Sequence, residues 1–319
     1  MPNYETTRLI NSVLSLYYLE GLTQAQIAKK IGLSTSKVNR LLQKAREMGY
    51  VSISIRTPLQ HLFDLESKIK ELFDLHEVIV IPSDVMNNNS LLSVLGTVAA
   101  EFLLQHITDG DVIGVGGGTA INAIVQSIET EKEFDISVVP ILGAVQGQIT
   151  TDVNYLADQL AKRLGGTVYQ LHAPAFVDTA EHCQTVLSIS PVKEIIDIAS
   201  KATIALFGIG TVDPDVSRFV QFTALSPDDM ERIANECGAV GEISAIVYDI
   251  NGKACASEYN SRVVGLNLEK IHQIPFRIGV AATSAKAAAI YGALRGRHIH
   301  VLITDESAAK GILELAEQD

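Results

Sequence analysis

From about residue 76 onward, short apolar runs alternate with helical patterns, and this alternation limits the fold more than any other feature of the chain. Strands that are apolar throughout are typical of a parallel sheet covered on both faces, with helices as the crossover connections. The predicted strands are Val78–Ile81, Asp111–Val115, Ile136–Leu142, Thr167–Leu171, Thr203–Phe207, Ile243–Tyr248, Phe276–Ala281 and His300–Ile303. The predicted helices are Leu91–His106, Thr119–Ile128, Val153–Leu164, Asp228–Glu236, Ala285–Leu294 and Ser307–Leu315. We therefore expect a doubly wound, mostly parallel α/β domain over residues 76–319.

A different pattern fills residues 23–42, which indicate two short helices joined by a tight turn. Small Ala28 lets the helices approach, Gly32 reverses the chain at little steric cost, and Ser34 can cap the second helix. The apolar positions of that helix recur at helical spacing, at Val38, Leu41, Leu42 and Ala45. This combination predicts a helix-turn-helix. A helical hairpin that packs on another part of the protein is disfavoured, because its outer face would not need to be polar.

The outward positions of the second helix carry side chains that can read DNA bases. Asn and Gln pair with adenine, Arg pairs with guanine, and hydroxyls pair with either base. The start of the first helix commonly meets a phosphate. The candidate DNA contacts are Thr23, Gln24, Thr35, Ser36, Lys37, Asn39, Arg40, Gln43 and Lys44.

The charge distribution supports nucleic-acid binding by this segment. Residues 1–60 carry eight Lys or Arg and three acidic residues, a balance of +5, so the other residues must carry −17 to give the total of −12. A basic head on an acidic body is expected when a DNA-binding module is joined to a separate domain.

The segment between the two domains has two features. Val51–Ile55 alternates as a short strand does and could form a wing beside the DNA. Within a linker helix at 58–75, Leu62, Leu65, Ile69 and Leu72 form a two-heptad seam. This seam either pairs two subunits or packs on its own domain. The predicted domains are therefore 1–57, a winged helix-turn-helix head; 58–75, the linker; and 76–319.

The chain length and composition predict a soluble, cytoplasmic protein. Of its 319 residues, 47% are apolar and 19% are charged, so extended disorder is not expected. Cys183, Cys237 and Cys255 are scattered, as in a reducing compartment. We recognise no signal peptide, and the most apolar helix contains Glu101 and is too short to span a bilayer.

One predicted strand runs into the glycine-rich segment Gly116–Thr119 and then directly into a helix. Backbone N–H groups, the helix dipole and the Thr119 hydroxyl could together bind an anion there. The segment is neither a Walker loop nor a clean dinucleotide fingerprint. A plain tight turn is the alternative interpretation.

Other strand ends should meet at the same edge of the sheet. Lys286 lies there in the first turn of a predicted helix, where a cation is better explained by a bound phosphate, although a solvated lysine is also consistent. The candidate ligand-binding positions are Gly116, Gly117, Gly118, Thr119, Gly143, Ala144, Pro174, Gly208, Ile209, Gly210, Thr211, Glu242 and Lys286.

Catalytic and metal-binding signatures are not recognised. His298 and His300 alternate on a predicted strand, but a third ligand is not nearby. We expect neither a metal nor a cofactor.

Together these residues resemble the SorC family of bacterial transcriptional regulators over essentially the whole chain. The head matches that family's pattern at Tyr17–Ala28, Leu33–Leu42 and Gly49–Val51. The effector-domain motifs match at Gly114–Thr119, Leu171–Pro174, Phe207–Gly210 and Ile303–Glu306.

The resemblance implies an effector domain similar to sugar-phosphate isomerases and deaminases, phosphorylated-sugar binding and assembly into dimers or tetramers. It places the phosphate at Gly116–Thr119 and Gly208–Thr211 with Lys286 as counter-charge. Glu242 stands where family members often have an Asp that binds sugar hydroxyls.

The predicted function is a DNA-binding regulator, a repressor of a carbohydrate catabolic operon controlled by a phosphorylated sugar. The alternative is an isomerase or deaminase with an accessory DNA-binding head. That enzyme needs a positioned base, and Gly208–Asp213 has no acid within its glycine core. A nucleotide-binding regulator is a third alternative. It is disfavoured because this chain has no acidic residue at the position that would bind the ribose.

Overall fold

The computed structural model describes residues 4–51, 59–83, 88–145, 149–213, 217 and 227–319, which form two compact units, Met1–Gln60 and His61–Asp319. We consider each unit by itself.

The first unit contains the predicted helix-turn-helix. Its helices are α1 (Tyr4–Leu14, continued by a π-helical turn at Ser15–Leu19), α2 (Gln24–Ile31) and α3 (Thr35–Glu47). Thr23 and Gln26 form a capping box at α2, and the Ser34 side chain accepts the Lys37 N–H at 3.2 Å at the start of α3. Gly32 ends α2 in the left-handed conformation, at φ +69°.

A small core holds the three helices together. Ile27 and Ala28 of α2 and Val38 and Leu42 of α3 are buried against Val13 of α1. The turn and the inward positions agree with the sequence prediction. The predicted wing lies, apart from Val51, outside the described residues and stays a prediction.

Within its described residues, the second unit is built on a nine-stranded sheet. Its strands are β1 (Glu77–Ile81), β2 (Val112–Val115), β3 (Ser137–Pro140), β4 (Thr167–Val168), β5 (Ile204–Thr211), β6 (Ala239–Ile243), β7 (Ile246–Asp249), β8 (Phe276–Val280) and β9 (Val301–Asp305). Seven strands pair in parallel in the order β1-β9-β8-β5-β2-β3-β4, while β6 and β7 add antiparallel pairs beside β5.

Helices cover both faces of this sheet. They are α4 (Gln60–Phe73), α5 (Asn88–His106), α6 (Thr119–Ser127), α7 (Val153–Leu164), α8 (Ala180–Ser188), α9 (Ser190–Ala199), α10 (Pro227–Cys237), α11 (Ser257–Asn260), α12 (Leu268–His272), α13 (Ala287–Arg295) and α14 (Glu306–Glu317). Successive residues of β5 point to opposite faces of the sheet and pack in two different hydrophobic cores. Ile204 packs in the core that contains α5, α6 and α7, and Ala205 packs in the core that contains α4, α9, α13 and α14. The doubly wound, mostly parallel prediction is confirmed.

The predicted strand Ile243–Tyr248 was wrong, and the predicted strand Thr167–Leu171 is limited to Thr167–Val168. Ile243–Tyr248 is not a single strand but the tip of the hairpin β6–β7, which turns at Ser244 and Ala245. Both residues have positive φ, +48° and +65°. Because neither is the Gly, Asn or Asp that normally marks such a turn, the residue types did not predict it.

The linker seam packs within the second unit. Leu62 and Ile69 of α4 are buried in its core, whereas the Leu72 side chain is 54% exposed. The Glu66 carboxylate also accepts the Val80 N–H of β1 at 2.8 Å. Of the two alternatives, packing on its own domain is therefore what the structure shows for Leu62 and Ile69.

Among the helices that the structure describes, none is long and apolar enough to cross a membrane.

We expect Ile69→Ala to destabilise the second unit by about 2–5 kcal/mol, because it removes buried methyl groups and leaves a cavity. The matched control, Leu72→Ala, should change stability by less than about 0.5 kcal/mol. Urea unfolding followed by circular dichroism measures both effects. An equal loss from Leu72→Ala would instead indicate that this face is covered by another subunit.

Candidate functional site

A cavity of about 310 Å³ lies within the second unit at the carboxyl ends of β2, β5 and β8. This is the edge at which ligands bind in open parallel sheets. The predicted positions that line it are Gly116, Gly117, Gly118, Thr119, Gly208, Ile209, Gly210, Thr211, Glu242 and Lys286. The structure therefore brings residues from four separate segments into one cavity.

Three predicted positions do not line this cavity: Gly143, Ala144 and Pro174. A Cβ atom on Gly143 would lie 2.5 Å from the Pro174 carbonyl oxygen, and Ala144 forms a parallel bridge with Pro174. These residues pack against one another beside the cavity. Their neighbours Leu142, Val145 and Ala175 line it instead.

The segment Gly116–Thr119 forms the start of α6 at the cavity wall. Gly118 occupies the N-cap position at φ +106° and has no side chain to cap the helix. Its N–H donates to the Thr151 carbonyl at 3.0 Å, and a Cβ atom on Gly117 would lie 3.1 Å from the same oxygen. The N–H groups of the first turn have no intrahelical acceptor, and they carry the positive end of the helix dipole. A helix start with this geometry is of the kind that can bind an anion.

Lys286 reaches the cavity from the loop after β8. It occupies the N-cap position of α13, which begins at Ala287 rather than at the predicted Ala285. Its ammonium group donates to the Ile209 carbonyl oxygen at 2.9 Å. The cation is thereby held above β5 and does not extend into solvent as a surface lysine would.

Glu242 faces Lys286 across the same part of the cavity. Its register partner on β5 is Gly210, where any Cβ atom would collide with the Glu242 carboxylate. Burial raises the pKa of Glu242, although the Ala245 N–H, at 2.8 Å, and the positive charge of Lys286 act in the opposite direction. The cavity therefore contains both a lysine and a buried carboxyl group, and the backbone holds one oxygen of that carboxyl group.

Asp305, at the end of β9, holds the loop that carries Lys286. Its carboxylate accepts the Thr283 N–H at 2.7 Å and the hydroxyls of Ser83 and Ser307, each at 2.6 Å. Thr283 has φ +87°, a backbone conformation that is unusual for a β-branched residue and that this bond helps to maintain. Thr283 also lines the cavity, and neither this position nor its backbone conformation was predicted from the sequence.

The predicted DNA contacts lie together on the first unit. Thr35, Ser36, Lys37, Asn39, Arg40, Gln43 and Lys44 of α3 are all exposed, as is Thr23, while Gln24 is half-buried. Because α3 buries only its opposite face, these side chains form one continuous polar surface.

The two histidines considered as metal ligands have other roles. His298 lies before β9, its Nε2 is 2.6 Å from the Gly252 carbonyl oxygen, and its Nδ1 is 2.8 Å from Nε2 of His272. Burial lowers the pKa of His298 to about 4. His300 Nδ1 accepts the Arg277 N–H at 3.3 Å. Within the part of the chain that the structure describes, no cluster of three or more His, Cys, Asp or Glu could hold a metal.

The chain is similar to two known protein families. Residues 57–314 match the family described as "Putative sugar-binding domain", and residues 11–48 match region 4 of sigma-70. These matches cover the second unit and the helix-turn-helix, respectively.

Full-length relatives share both parts. The sorbitol operon regulator of Klebsiella pneumoniae is 29% identical over 98% of this chain and 100% of that protein. Its crystal structure matches with a TM-score of 0.74 over 97% of this chain and 99% of that one. The deoxyribonucleoside regulator of Bacillus subtilis is 30% identical over 97% and 98% of the two chains.

The sugar-binding domain of a transcriptional repressor from Vibrio fischeri also matches, with a TM-score of 0.73 and 28% identity over 80% of this chain and 99% of that one. The named relatives regulate transcription, so the comparisons do not favour the isomerase alternative.

The hydrogen bonds of Asp305 predict a specific loss of stability in acid. Burial alone would raise its pKa, but the donors Ser307, Ser83, Thr283 and Ala308 lower it below the value of 3.8 that the unfolded chain has. A lowered carboxyl pKa stabilises the fold above the unfolded pKa, and this stabilisation is lost as the pH falls through the folded pKa.

We therefore expect Asp305→Asn to destabilise the second unit by about 2–3 kcal/mol at pH 7. The difference from the unmodified protein should shrink below about pH 4. Urea titrations at several pH values test this, with the exposed Asp197→Asn as the control that should change little. A difference that does not depend on pH would contradict the assignment of an ionised Asp305.

Proposed function

Because this chain belongs to the SorC family of sugar-responsive transcriptional regulators, we propose that a phosphorylated sugar binds its strand-end cavity and controls its binding to operator DNA. The chain is a transcriptional regulator with a helix-turn-helix and a sugar-binding domain, and not an enzyme. We propose that it acts as a repressor of a carbohydrate catabolic operon in the cytoplasm. The match to the sugar-binding domain of a Vibrio fischeri repressor supports repression rather than activation.

The observation that carries the proposal is the pairing of two different polar regions in one cavity. One region is the uncapped start of α6, with the positive end of the helix dipole. The other contains Lys286 and Glu242 beside the backbone of β5. A phosphate monoester of a sugar has the matching parts, an anion at one end and hydroxyls along the rest.

The phosphate fits the start of α6 because backbone N–H groups can surround it there. Gly116 and Gly117 let the chain approach closely, since added Cβ atoms would lie 3.1 Å from Phe207 Cβ and from the Thr151 carbonyl oxygen, respectively. The Thr119 hydroxyl adds a further donor. Lys286 supplies the compensating positive charge.

The sugar hydroxyls fit the region of Glu242. One oxygen of its carboxylate accepts the Ala245 N–H, and the other lies over Gly210 in the cavity. A carboxylate oxygen can accept the hydroxyl hydrogen of a sugar. The cavity volume of about 310 Å³ suits a small polar ligand.

We propose that α3 binds in the major groove of the operator and contacts it through its exposed polar side chains, from Thr35 to Lys44. Their exposure and the +5 balance of residues 1–60 support this assignment. The proposed division is a DNA-binding head at 1–57, a linker helix at 58–75 and an effector domain at 76–319. A dimer or tetramer of this chain would place two heads on paired half-sites.

Replacing Lys286 should separate sensing from DNA binding. We expect Lys286→Ala to weaken binding of the phosphorylated sugar about 10- to 100-fold, because a charge-assisted contact is lost. Operator affinity without effector should be unchanged. Calorimetry measures the effector affinity, with phosphate monoesters of tetroses, pentoses, hexoses and hexitols and with each unphosphorylated parent sugar as ligands. Fluorescence anisotropy measures the operator affinity.

Lys193→Ala is the matched control, since this exposed lysine of α9 does not line the cavity. If Lys286→Ala binds the phosphorylated sugar as tightly as the unmodified protein does, this lysine does not contact the ligand. Binding of parent sugars in preference to their phosphates would contradict a phosphorylated effector.

Replacing residues of α3 should separate base recognition from backbone attraction. Arg40→Ala should cost about 1–3 kcal/mol at the cognate operator and relax specificity at one position. Lys37→Ala should weaken all DNA sequences alike and reduce the salt dependence by about one phosphate contact. Gel shifts at several salt concentrations distinguish the two effects. If a double variant with both Arg40→Ala and Lys37→Ala still binds the operator with the original affinity, α3 is not the recognition helix.

A further inference from the structure

The turn between β6 and β7 lines the cavity in a conformation that its residues do not favour. Ser244 and Ala245 have φ values of +48° and +65°, in the left-handed region where two-residue hairpin turns normally use Gly, Asn or Asp. Both residues contribute to the cavity wall. Backbone strain of this kind concentrates at binding sites, where surrounding structure maintains it.

The hairpin is held in place from behind. Glu242 accepts the Ala245 N–H at 2.8 Å, which closes the turn. The Asn260 side chain binds both the N–H and the carbonyl of Val247, at 2.9 and 3.0 Å, and its amide also donates to the Cys255 carbonyl at 2.6 Å. The turn is therefore fixed before any ligand arrives.

The Ser244 hydroxyl is the unsatisfied group of this turn. Ser244 is 8% exposed, and its Oγ is buried without a hydrogen-bond partner among the residues that the structure describes. Buried side-chain hydroxyls normally have a partner, and an unsatisfied one at a cavity wall needs an explanation. No hydrogen bond fixes its χ1 angle, so the hydroxyl can change rotamer.

The hydroxyl lies beside the segment that leads into α6. A Cβ atom on Gly116 would be 3.5 Å from the Ser244 Oγ and 3.1 Å from Phe207 Cβ. Gly116 precedes the uncapped helix start by two residues, and the helix of nine residues begins at Thr119. The Ser244 hydroxyl thus lies beside Gly116, in the segment that leads into the uncapped start of α6.

We propose that the Ser244 hydroxyl donates a hydrogen bond to the phosphate group that binds at the start of α6, and so contributes to selection of a phosphorylated ligand. This inference rests on the proposed function and adds a residue from a different element. The backbone N–H groups of α6 contact the anion from one side, and the hairpin supplies a donor from the other. Ligand binding would give the hydroxyl a partner that the described residues do not supply.

The test compares Ser244→Ala with Thr304→Val. Thr304, on β9, also has a buried hydroxyl without a partner in the described structure, but it does not line the cavity. Calorimetry would use the full chain with inorganic phosphate and with the same panel of sugar phosphates and parent sugars. Melting temperatures of the free variants would be measured alongside.

We expect Ser244→Ala to raise the Kd for inorganic phosphate and for the sugar phosphate about tenfold, the loss of one hydrogen bond to a charged group. Its free melting temperature should be unchanged or higher, because the hydroxyl makes no hydrogen bond to the residues that the structure describes. Ser244→Gly should lose affinity to the same extent and fold readily, since Gly accepts positive φ. Thr304→Val should keep the affinity of the unmodified protein.

Three outcomes would overturn the inference, and they are distinguishable. If the unmodified protein binds sugar phosphates and Ser244→Ala binds them equally well, Ser244 is not a contact, while the proposed function stands. If Thr304→Val loses affinity as Ser244→Ala does, the effect is general to buried hydroxyls. If the unmodified protein binds neither inorganic phosphate nor any sugar phosphate, the proposed function fails, and the inference fails with it.

Discussion

Burial of a parallel sheet on both faces is the constraint on which the second unit depends. Since β1, β9, β8, β5, β2, β3 and β4 run in the same direction, all their carboxyl ends meet at one edge. Helices occupy both faces, so polar groups that serve a ligand can be placed only at the ends of the strands. The glycines after β2 and within β5 then leave room for a cavity, because larger residues would fill the space between neighbouring loops.

The two ends of β8 show how differently the edges of this sheet are used. Near its start, the Arg277 guanidinium is buried and donates to the carbonyl oxygens of His272, Ile274, Arg297 and His298, which joins the surrounding loops. At its other end, Thr283 and Lys286 line an open cavity. Hydrogen bonds to backbone carbonyls satisfy the buried guanidinium without an acidic partner, so one edge is closed by the fold while the other remains available to a ligand.

Contacts within the second unit run without a break from the cavity to α4. Thr283 binds Asp305, which also caps α14, and the neighbouring Glu306 contacts Lys310 at 2.6 Å and His61 of α4 at 3.6 Å. The helix α4 is thus part of the core of the second unit.

The sequence by itself determined the helix-turn-helix, the alternation of strands and helices, and the glycine-rich loop before α6. These features depend on local patterns: residue spacing, capping residues and glycine positions act over a few neighbours in the chain. The same information placed Lys286 at the correct edge, because strand direction alone fixes where strand ends meet. Glu242, in contrast, was assigned to the site only through the family resemblance.

Only the tertiary structure decided which of these residues share a cavity. Gly143, Ala144 and Pro174 lie beside the wall because their backbones pack against each other, a contact between segments distant in sequence. Ser244 lines the cavity because Ile243–Tyr248 forms a hairpin and not the single strand that was predicted. Its turn is maintained by Glu242 and by the distant Asn260, and not by residues that favour turns. Long-range hydrogen bonds can override local propensity, and for that reason the sequence did not reveal this part of the site.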